Sequence, residues 1–139
     1  MDSKIVLAFI GGDSRQCVAM DMAEKNGYGV KALGFENIDN RNIKVYKDLD
    51  DDVFDCHVLI FPIPYKNKYG YINIPSAPQF LVLDEVMKKI QPGTLIILGK
   101  ADEDFKQQAA EKKVPFFDIF EEESFSILNA IPTAEGAIQ

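Results

Sequence analysis

Apolar runs alternate with amphipathic segments along this chain, and the alternation predicts successive β-α-β units. The first run, Ile5–Ile10, is apolar at every position, as expected for a strand buried on both faces of a sheet. Because parallel strands need a crossover connection, which is usually a helix, the pattern predicts a mostly parallel sheet. The other strand-like runs are Val30–Leu33, Lys44–Tyr46, Val58–Phe61, Leu95–Leu98 and Val114–Ile119.

Three segments between these runs have the periodicity of helices, over residues 14–26, 83–90 and 102–113. Gly27 is placed to end the first helix and Pro92 to end the second. The apolar positions that mark the buried faces are Cys17, Met20 and Ala23 in the first helix, Leu83, Val86, Met87 and Ile90 in the second, and Phe105 and Ala109 in the third.

Together these elements predict a flavodoxin-like or Rossmann-like three-layer sandwich with a mostly parallel sheet of five or six strands. Residues 1–139 contain no linker or repeat and are expected to form one domain. The segment from Pro132 to Gln139 starts like a helix and stops within its first turns. We therefore interpret the chain as a piece of a longer protein.

Charge and cysteine content exclude several classes of protein. The chain has 22 acidic and 15 basic residues and a formal net charge of −7, which disfavours nucleic-acid binding. Cys17, Cys56 and the single histidine, His57, are too few for a Cys/His zinc site, so no metal is expected. His57 also lacks a predicted catalytic partner. The sequence shows no signal peptide or bilayer-spanning run, which favours the cytoplasm.

A polar loop follows the first predicted strand, and it is the strongest candidate for a ligand site. Ligands of open parallel sheets bind beyond the carboxyl ends of the strands. Here Gly11 and Gly12 allow a sharp turn that exposes helix N–H groups to an anion, and Arg15 can bind a carboxylate. The same loop also has structural interpretations, with Asp13 as a helix N-cap and Arg15 as a solvated cation.

Other residues are expected at the same edge of the sheet. They are Pro62 and Pro64 after the Val58–Phe61 run, Gly99 and Lys100 after the Leu95–Leu98 run, and residues 129–135.

The first loop does not have the pattern of a nucleotide site, although Glu36 follows the second strand in a suitable place. Asp13 and Gln16 stand where G-x-G-x-x-G needs its later glycines. An FMN-binding flavodoxin is disfavoured because the loop has no Thr/Ser-rich phosphate cradle. A receiver domain is excluded because Gly11-Gly12 replaces its acidic pair and Pro62 its phosphorylated aspartate.

A long connection after Pro62 contains Tyr65, Tyr69 and Tyr71. Aromatic side chains with polar tips suit either the cover of a hairpin or a protein interface. The connection supports an alternative function, a non-catalytic flavodoxin-like binding module that docks a partner protein.

Several short motifs, in this order along the chain, resemble the N-terminal domain of the dipicolinate synthase A-chain family of spore-forming bacteria. The opening motif is Ile10-Gly11-Gly12-Asp13-Ser14-Arg15-Gln16. Gly34-Phe35 and Phe61-Pro62-Ile63-Pro64 follow. The most specific motif is the last one, Asn129-Ala130-Ile131-Pro132-Thr133-Ala134-Glu135-Gly136-Ala137-Ile138.

The resemblance implies a two-domain enzyme, related in architecture to D-2-hydroxyacid dehydrogenases, whose missing Rossmann domain binds NAD(P). With a second, flavoprotein-like component, the dipicolinate synthase B chain, that enzyme oxidises a dihydrodipicolinate-type intermediate to dipicolinic acid in the mother cell of a sporulating bacterium. The present chain alone is then expected to bind no cofactor and to be inactive, and a homo-oligomer is left open. Two segments depart from the family's pattern, Lys100–Glu103 and Tyr65–Tyr71.

The resemblance also implies that this chain supplies half of a cleft for a small dicarboxylate substrate. Arg15 would hold a carboxylate, and Asp13 or Glu135 would be the acid or base that accompanies hydride transfer. The expected substrate-binding residues are Gly12, Asp13, Arg15, Gln16, Pro64, Asn129, Thr133 and Glu135.

Overall fold

A computed structural model of the protein describes residues 4–36, 38–74 and 81–120, and six strands in these ranges form one all-parallel sheet. The strand order is β3-β2-β1-β4-β5-β6. The elements are β1 (Val6–Ile10), α1 (Ser14–Lys25), β2 (Gly29–Leu33), β3 (Lys44–Tyr46), a 3₁₀ helix (Asp51–Phe54), β4 (Val58–Ile60), α2 (Leu83–Lys89), β5 (Leu95–Leu98), α3 (Glu103–Lys112) and β6 (Phe116–Asp118).

The direction in which strands are added reverses between β1 and β4. Phe9 of β1 is in register with Ala32 of β2 on one side and with Ile60 of β4 on the other. This is the order of doubly wound dinucleotide-binding sheets, and without the edge strand β3 it is the flavodoxin order. The predicted fold class is confirmed, and the sheet has six strands.

Two clusters of buried side chains, one on each face of the sheet, make the domain three-layered. Phe9 packs in a cluster with Met20 of α1, whereas its neighbours Ala8 and Ile10 belong to the cluster that contains Phe105 of α3. Neighbouring residues of a strand point to opposite faces, so β1 contributes to both clusters. Cys17 and Ala23 are half-buried against the α1 cluster, as their predicted helical face requires.

The helices end where their capping residues predict. Asp13 accepts a hydrogen bond from the Arg15 N–H at the start of α1, and Gly27, with φ of 93°, follows its end. Asp102 accepts one from the Phe105 N–H at the start of α3, which ends at Lys113 in the left-handed region. Local chemistry therefore sets the limits of α1 and α3.

The long connection after β4 contains a hairpin. Lys66 forms an antiparallel bridge with Ile72, and the Asn67 N–H donates to the Tyr71 carbonyl at 2.8 Å. The tyrosines of this connection do not share one environment, because Tyr65 is 2% exposed in the core and Tyr69 is 72% exposed at the hairpin tip. Only Tyr69 is therefore placed as an interface residue would be.

Candidate functional site

The loops that follow β1 and β4 meet where the strand order reverses. Gly11 and Gly12 have φ of 71° and 127° after β1, and the Ile63–Pro64 peptide bond after β4 is cis. Arg15 joins the two loops, since its Nη2 donates to the Ile63 carbonyl at 3.4 Å. The structure thus brings the predicted residues 12–16 and 64 to one edge of the sheet.

The space around the glycine pair is taken by the chain itself. A Cβ atom at Gly11 would lie 2.7 Å from the carbonyl oxygen of Asn73, and one at Gly12 would lie 2.8 Å from the side chain of Gln16. Gln16 is 9% exposed. These glycines are required by close approach of Asn73 and Gln16, in addition to the turn that the sequence predicts. Asn73 was not predicted, because it lies in a segment without a motif.

Asp13 and Arg15 form a side-on ion pair at the start of α1. Oδ1 of Asp13 accepts from the Arg15 backbone N–H at 2.9 Å and from Nε at 3.1 Å, and Oδ2 accepts from Nη2 at 3.0 Å. Hydrogen bonds from Arg15 hold the pKa of the Asp13 carboxyl below its ordinary value. Asp13 is therefore a carboxylate at neutral pH.

This ion pair decides which ligands suit the loop. The Asp13 carboxylate occupies the N-terminus of α1, the position at which a dinucleotide phosphate would bind. The Nη1 nitrogen of Arg15 has no partner within the part of the chain that the structure describes. The loop offers that nitrogen to a carboxylate and presents a negative charge to a phosphate.

Asp118 organises the next loop along the edge, and sequence analysis missed it. Its carboxylate accepts from the Lys100 N–H at 3.1 Å, the Ala101 N–H at 2.7 Å and the Phe120 N–H at 3.0 Å. The Lys100 ammonium lies 5.4 Å from the centre of the Phe120 ring. An acidic residue that ends a strongly apolar strand is the signal that could have identified Asp118.

The hairpin is attached to the start of α3. The Tyr65 hydroxyl donates to Asp102 Oδ1 at 2.5 Å, and the Lys66 ammonium lies 3.1 Å from Asp102 and 3.3 Å from Asp104. Burial, together with the hydrogen bond to Asp102, raises the pKa of Tyr65. The two segments that depart from the family's pattern are therefore in direct contact.

His57 lies at the opposite edge of the sheet from the candidate site. Its Nδ1 accepts a hydrogen bond from the Val6 N–H at 2.9 Å, which links the amino ends of β1 and β4. Asn129, Thr133 and Glu135 lie outside the described residues. Within the ranges described, no three potential metal-ligating side chains cluster and no helix is both long and apolar enough to cross a bilayer.

An all-parallel sheet with a polar, glycine-containing loop at its strand-order reversal defines an α/β domain of the Rossmann-like class. Within that class, the family model for the N-terminal domain of the dipicolinate synthase A chain matches residues 6–120, and the chain belongs to this family.

Individual relatives agree with this assignment. The chain is 25% identical over 135 residues to the dipicolinate synthase A chain of Bacillus subtilis (strain 168), covering 95% of this chain and 46% of that protein. The crystal structure of dipicolinate synthase, A chain, from Bacillus subtilis matches with a TM-score of 0.75 and 23% identity, covering 98% of this chain and 47% of that one. The corresponding crystal structure from Bacillus halodurans matches with a TM-score of 0.74 and 21% identity, covering 95% and 46%. The chain thus spans about half the length of these relatives.

Proposed function

We propose that this chain is the substrate-side domain of a dipicolinate synthase A chain. With a further domain that carries NAD(P), it oxidises a dihydrodipicolinate-type intermediate to dipicolinic acid in the mother cell during sporulation. Membership of the family over residues 6–120 supports this proposal. The length of the relatives, about twice that of this chain, leaves room for the further domain.

The observation that carries the proposal is the placement of Arg15. Its guanidinium is held by Asp13 on one side and by the Ile63 carbonyl on another, at the position where sheets of this class bind ligands. Charge-assisted hydrogen bonds from arginine are suited to carboxylates, and a dicarboxylate offers two of them. The substrate class is therefore a small dicarboxylate held through Nη1 of Arg15.

The first loop does not fit a nicotinamide dinucleotide. A pyrophosphate at the N-terminus of α1 would meet the Asp13 carboxylate, and Gln16 fills the space beside Gly12 that close backbone approach would need. The cofactor is therefore proposed to bind mainly to the further domain. Asn129, Thr133 and Glu135 are proposed to line the junction between the two domains.

Hydride transfer is accompanied by a proton transfer, for which Asp13 and Glu135 are the candidates. Because its pKa is lowered by Arg15, Asp13 is ionised and can only accept a proton. Its basicity is reduced for the same reason. Asp13 therefore fits electrostatic and hydrogen-bonding work at the substrate better than it fits the role of a strong base, and Glu135 stays the other candidate.

Titration calorimetry of the 139-residue chain with dipicolinate tests the proposal. Arg15→Ala is expected to weaken binding at least about tenfold, because a charge-assisted hydrogen bond contributes about 1.5–3 kcal/mol. Arg41→Ala is the matched control, since Arg41 is an exposed arginine outside the site. Equal binding by all three proteins would remove Arg15 from the site. Binding of NAD or NADP by the chain would contradict the proposed division between domains.

A second candidate function is a non-catalytic module that docks a partner such as the dipicolinate synthase B chain. The observation in its favour is Tyr69, which is 72% exposed at the hairpin tip with the Lys68 ammonium 5.3 Å from its ring centre. In a binding assay with the purified B chain, Tyr69→Ala would weaken the complex if the tip docks. An unchanged complex would exclude this role for the tip.

A further inference from the structure

The segment from Ile63 to Asn73 connects the start of α3 to the Arg15 loop. We propose that Tyr65 is a positioning residue for this loop, acting through Ile63 and Asn73, and that Asp102 holds Tyr65 in place. The proposed consequence for ligand affinity rests on the function proposed above. The geometric coupling between Tyr65 and Arg15 does not depend on that function.

Tyr65 is held firmly at its ring and at its hydroxyl. The ring centre lies 5.8 Å from that of Phe61 and 5.7 Å from that of Phe105, in the core on the α3 side. The hydroxyl donates to Asp102, whose carboxylate also accepts the Phe105 N–H at 2.9 Å as the N-cap of α3. Since a helix terminus fixes the acceptor, the hydrogen bond specifies where the Tyr65 ring lies.

The backbone of Tyr65 is in turn bonded to the segment that crosses the Arg15 loop. The Tyr65 carbonyl accepts from the Asn73 N–H at 2.9 Å, and the Pro64 carbonyl lies 3.5 Å from the Asn73 side-chain amide. Asn73 then packs directly against Gly11, where a Cβ atom would be only 2.7 Å from its carbonyl oxygen. A shift of Tyr65 must therefore be transmitted to Gly11, because the contact has no slack.

A second route leads from Tyr65 to Arg15 itself. The carbonyl of Ile63, two residues earlier in the chain, accepts a hydrogen bond from Arg15 Nη2. Tyr65 thus lies between two contacts of the candidate site, Asn73 with Gly11 and Ile63 with Arg15. If the Tyr65–Asp102 bond served only stability, its loss would lower the melting temperature without changing either contact.

Tyr65→Phe removes the hydroxyl and leaves the ring, and Tyr46→Phe is its matched control. The Tyr46 hydroxyl also donates to an aspartate, Asp52, whose other partners are Lys31 and Lys44 on the β2–β3 side of the sheet. Both variants therefore lose one tyrosine–carboxylate hydrogen bond, and only Tyr65→Phe loses it beside the Arg15 loop.

The first measurement is nuclear magnetic resonance of the ligand-free chain. Tyr65→Phe is expected to shift the Arg15 Nε–H and Gly11 amide signals and to speed hydrogen exchange of the Gly11 amide about threefold to tenfold. Tyr46→Phe is expected to leave these signals in place. Unchanged Arg15 and Gly11 signals in Tyr65→Phe would overturn the proposal, whatever happens to the melting temperature. If Tyr65→Phe does not fold, Asp102→Asn replaces it, because asparagine keeps the N-cap and removes the acceptor's charge.

The second measurement is dipicolinate titration of the same variants. Tyr65→Phe is expected to weaken binding about threefold to tenfold, because displacement of Arg15 costs part of one charge-assisted hydrogen bond. Unchanged affinity beside shifted Arg15 signals would overturn the link between positioning and ligand. Failure of the unmodified chain to bind dipicolinate would count against the proposed function, while the ligand-free spectra would still decide whether Tyr65 positions Arg15.

Discussion

The carboxylate of Asp13 pairs side-on with the guanidinium of Arg15, through Nε and Nη2, and leaves Nη1 directed away from the pair. The loop therefore carries a cation whose charge is already balanced by a neighbour two residues away. A carboxylate ligand at this position must share Arg15 with Asp13. This competition separates the roles that Asp13 can have.

Asp13→Asn is expected to strengthen dipicolinate binding to the chain about fivefold. Removing one negative charge near the ligand relieves repulsion of about 1 kcal/mol in a solvated site. Asparagine also keeps the N-cap of α1. Calorimetry measures the change, and repeating it in raised salt should shrink the gain. Weaker binding by the variant would mean that Asp13 itself contacts the ligand, which is the outcome required if it accepts a proton from substrate.

Gly11→Ala is expected to lower the free energy of unfolding more than Gly27→Ala. Both glycines have positive φ, a conformation that costs an alanine about 1–3 kcal/mol. At Gly11 the added Cβ would also lie 2.7 Å from the Asn73 carbonyl oxygen, whereas at Gly27 nothing lies within 4 Å. Urea denaturation compares the two variants. Equal losses would show that the close approach of Asn73 costs nothing.

Acid stability is expected to depend on Asp52. Hydrogen bonds from Tyr46 and Lys44 lower the pKa of its carboxyl from 3.8 to about 2. Because the folded-state pKa lies below the ordinary value, the contribution to stability is complete above about pH 4 and is lost as the pH falls through 2.

Urea unfolding of the chain and of Asp52→Asn between about pH 2 and pH 6 tests this expectation. The difference in stability between the two proteins should be largest at the upper end of this range and shrink towards the lower end. Tyr46→Phe should weaken the same pH dependence, since the Tyr46 hydroxyl has the largest effect on the Asp52 pKa. A difference that stays constant with pH would contradict the proposed ionisation.

Cys56 is expected to resist alkylation in the native protein. Burial raises the pKa of its thiol to about 11, and the thiolate is the nucleophilic form. At pH 8 about one molecule in a thousand would carry the thiolate. Mass spectrometry after iodoacetamide treatment should show slow labelling of Cys56 that accelerates towards pH 11 and becomes fast in urea. Rapid native labelling would contradict the burial of this thiol.

The helices and strands were predictable because their signals are local. The run Leu95–Leu98 is β5 at its predicted limits, and the capping residues Asp13 and Asp102 mark the starts of α1 and α3 as sequence analysis placed them. Even the short edge strand Lys44–Tyr46 was recognised. Apolar periodicity and capping chemistry operate over a few residues, so they survive without knowledge of the fold.

The candidate site was predictable only in its contiguous part. Gly12, Asp13, Arg15 and Gln16 follow a buried strand directly, and a general rule for parallel sheets places them at the ligand edge. The pairing of Asp13 with Arg15 was missed, because a side-on ion pair depends on side-chain rotamers. Tyr65 was grouped with the other tyrosines of its loop, and its burial beside Phe105 could be seen only once α3 was packed against the sheet.

The sequence by itself determined the class of fold, the family and the loop that holds Arg15, because each depends on residue order over short distances. Tertiary structure alone decided that Asn73 packs on Gly11, that Asp102 holds Tyr65 and that Asp118 binds three backbone N–H groups of the loops around it. These contacts join segments far apart in the chain. Their partners are selected by how the hairpin and α3 pack on the finished sheet, which no local pattern of residues encodes.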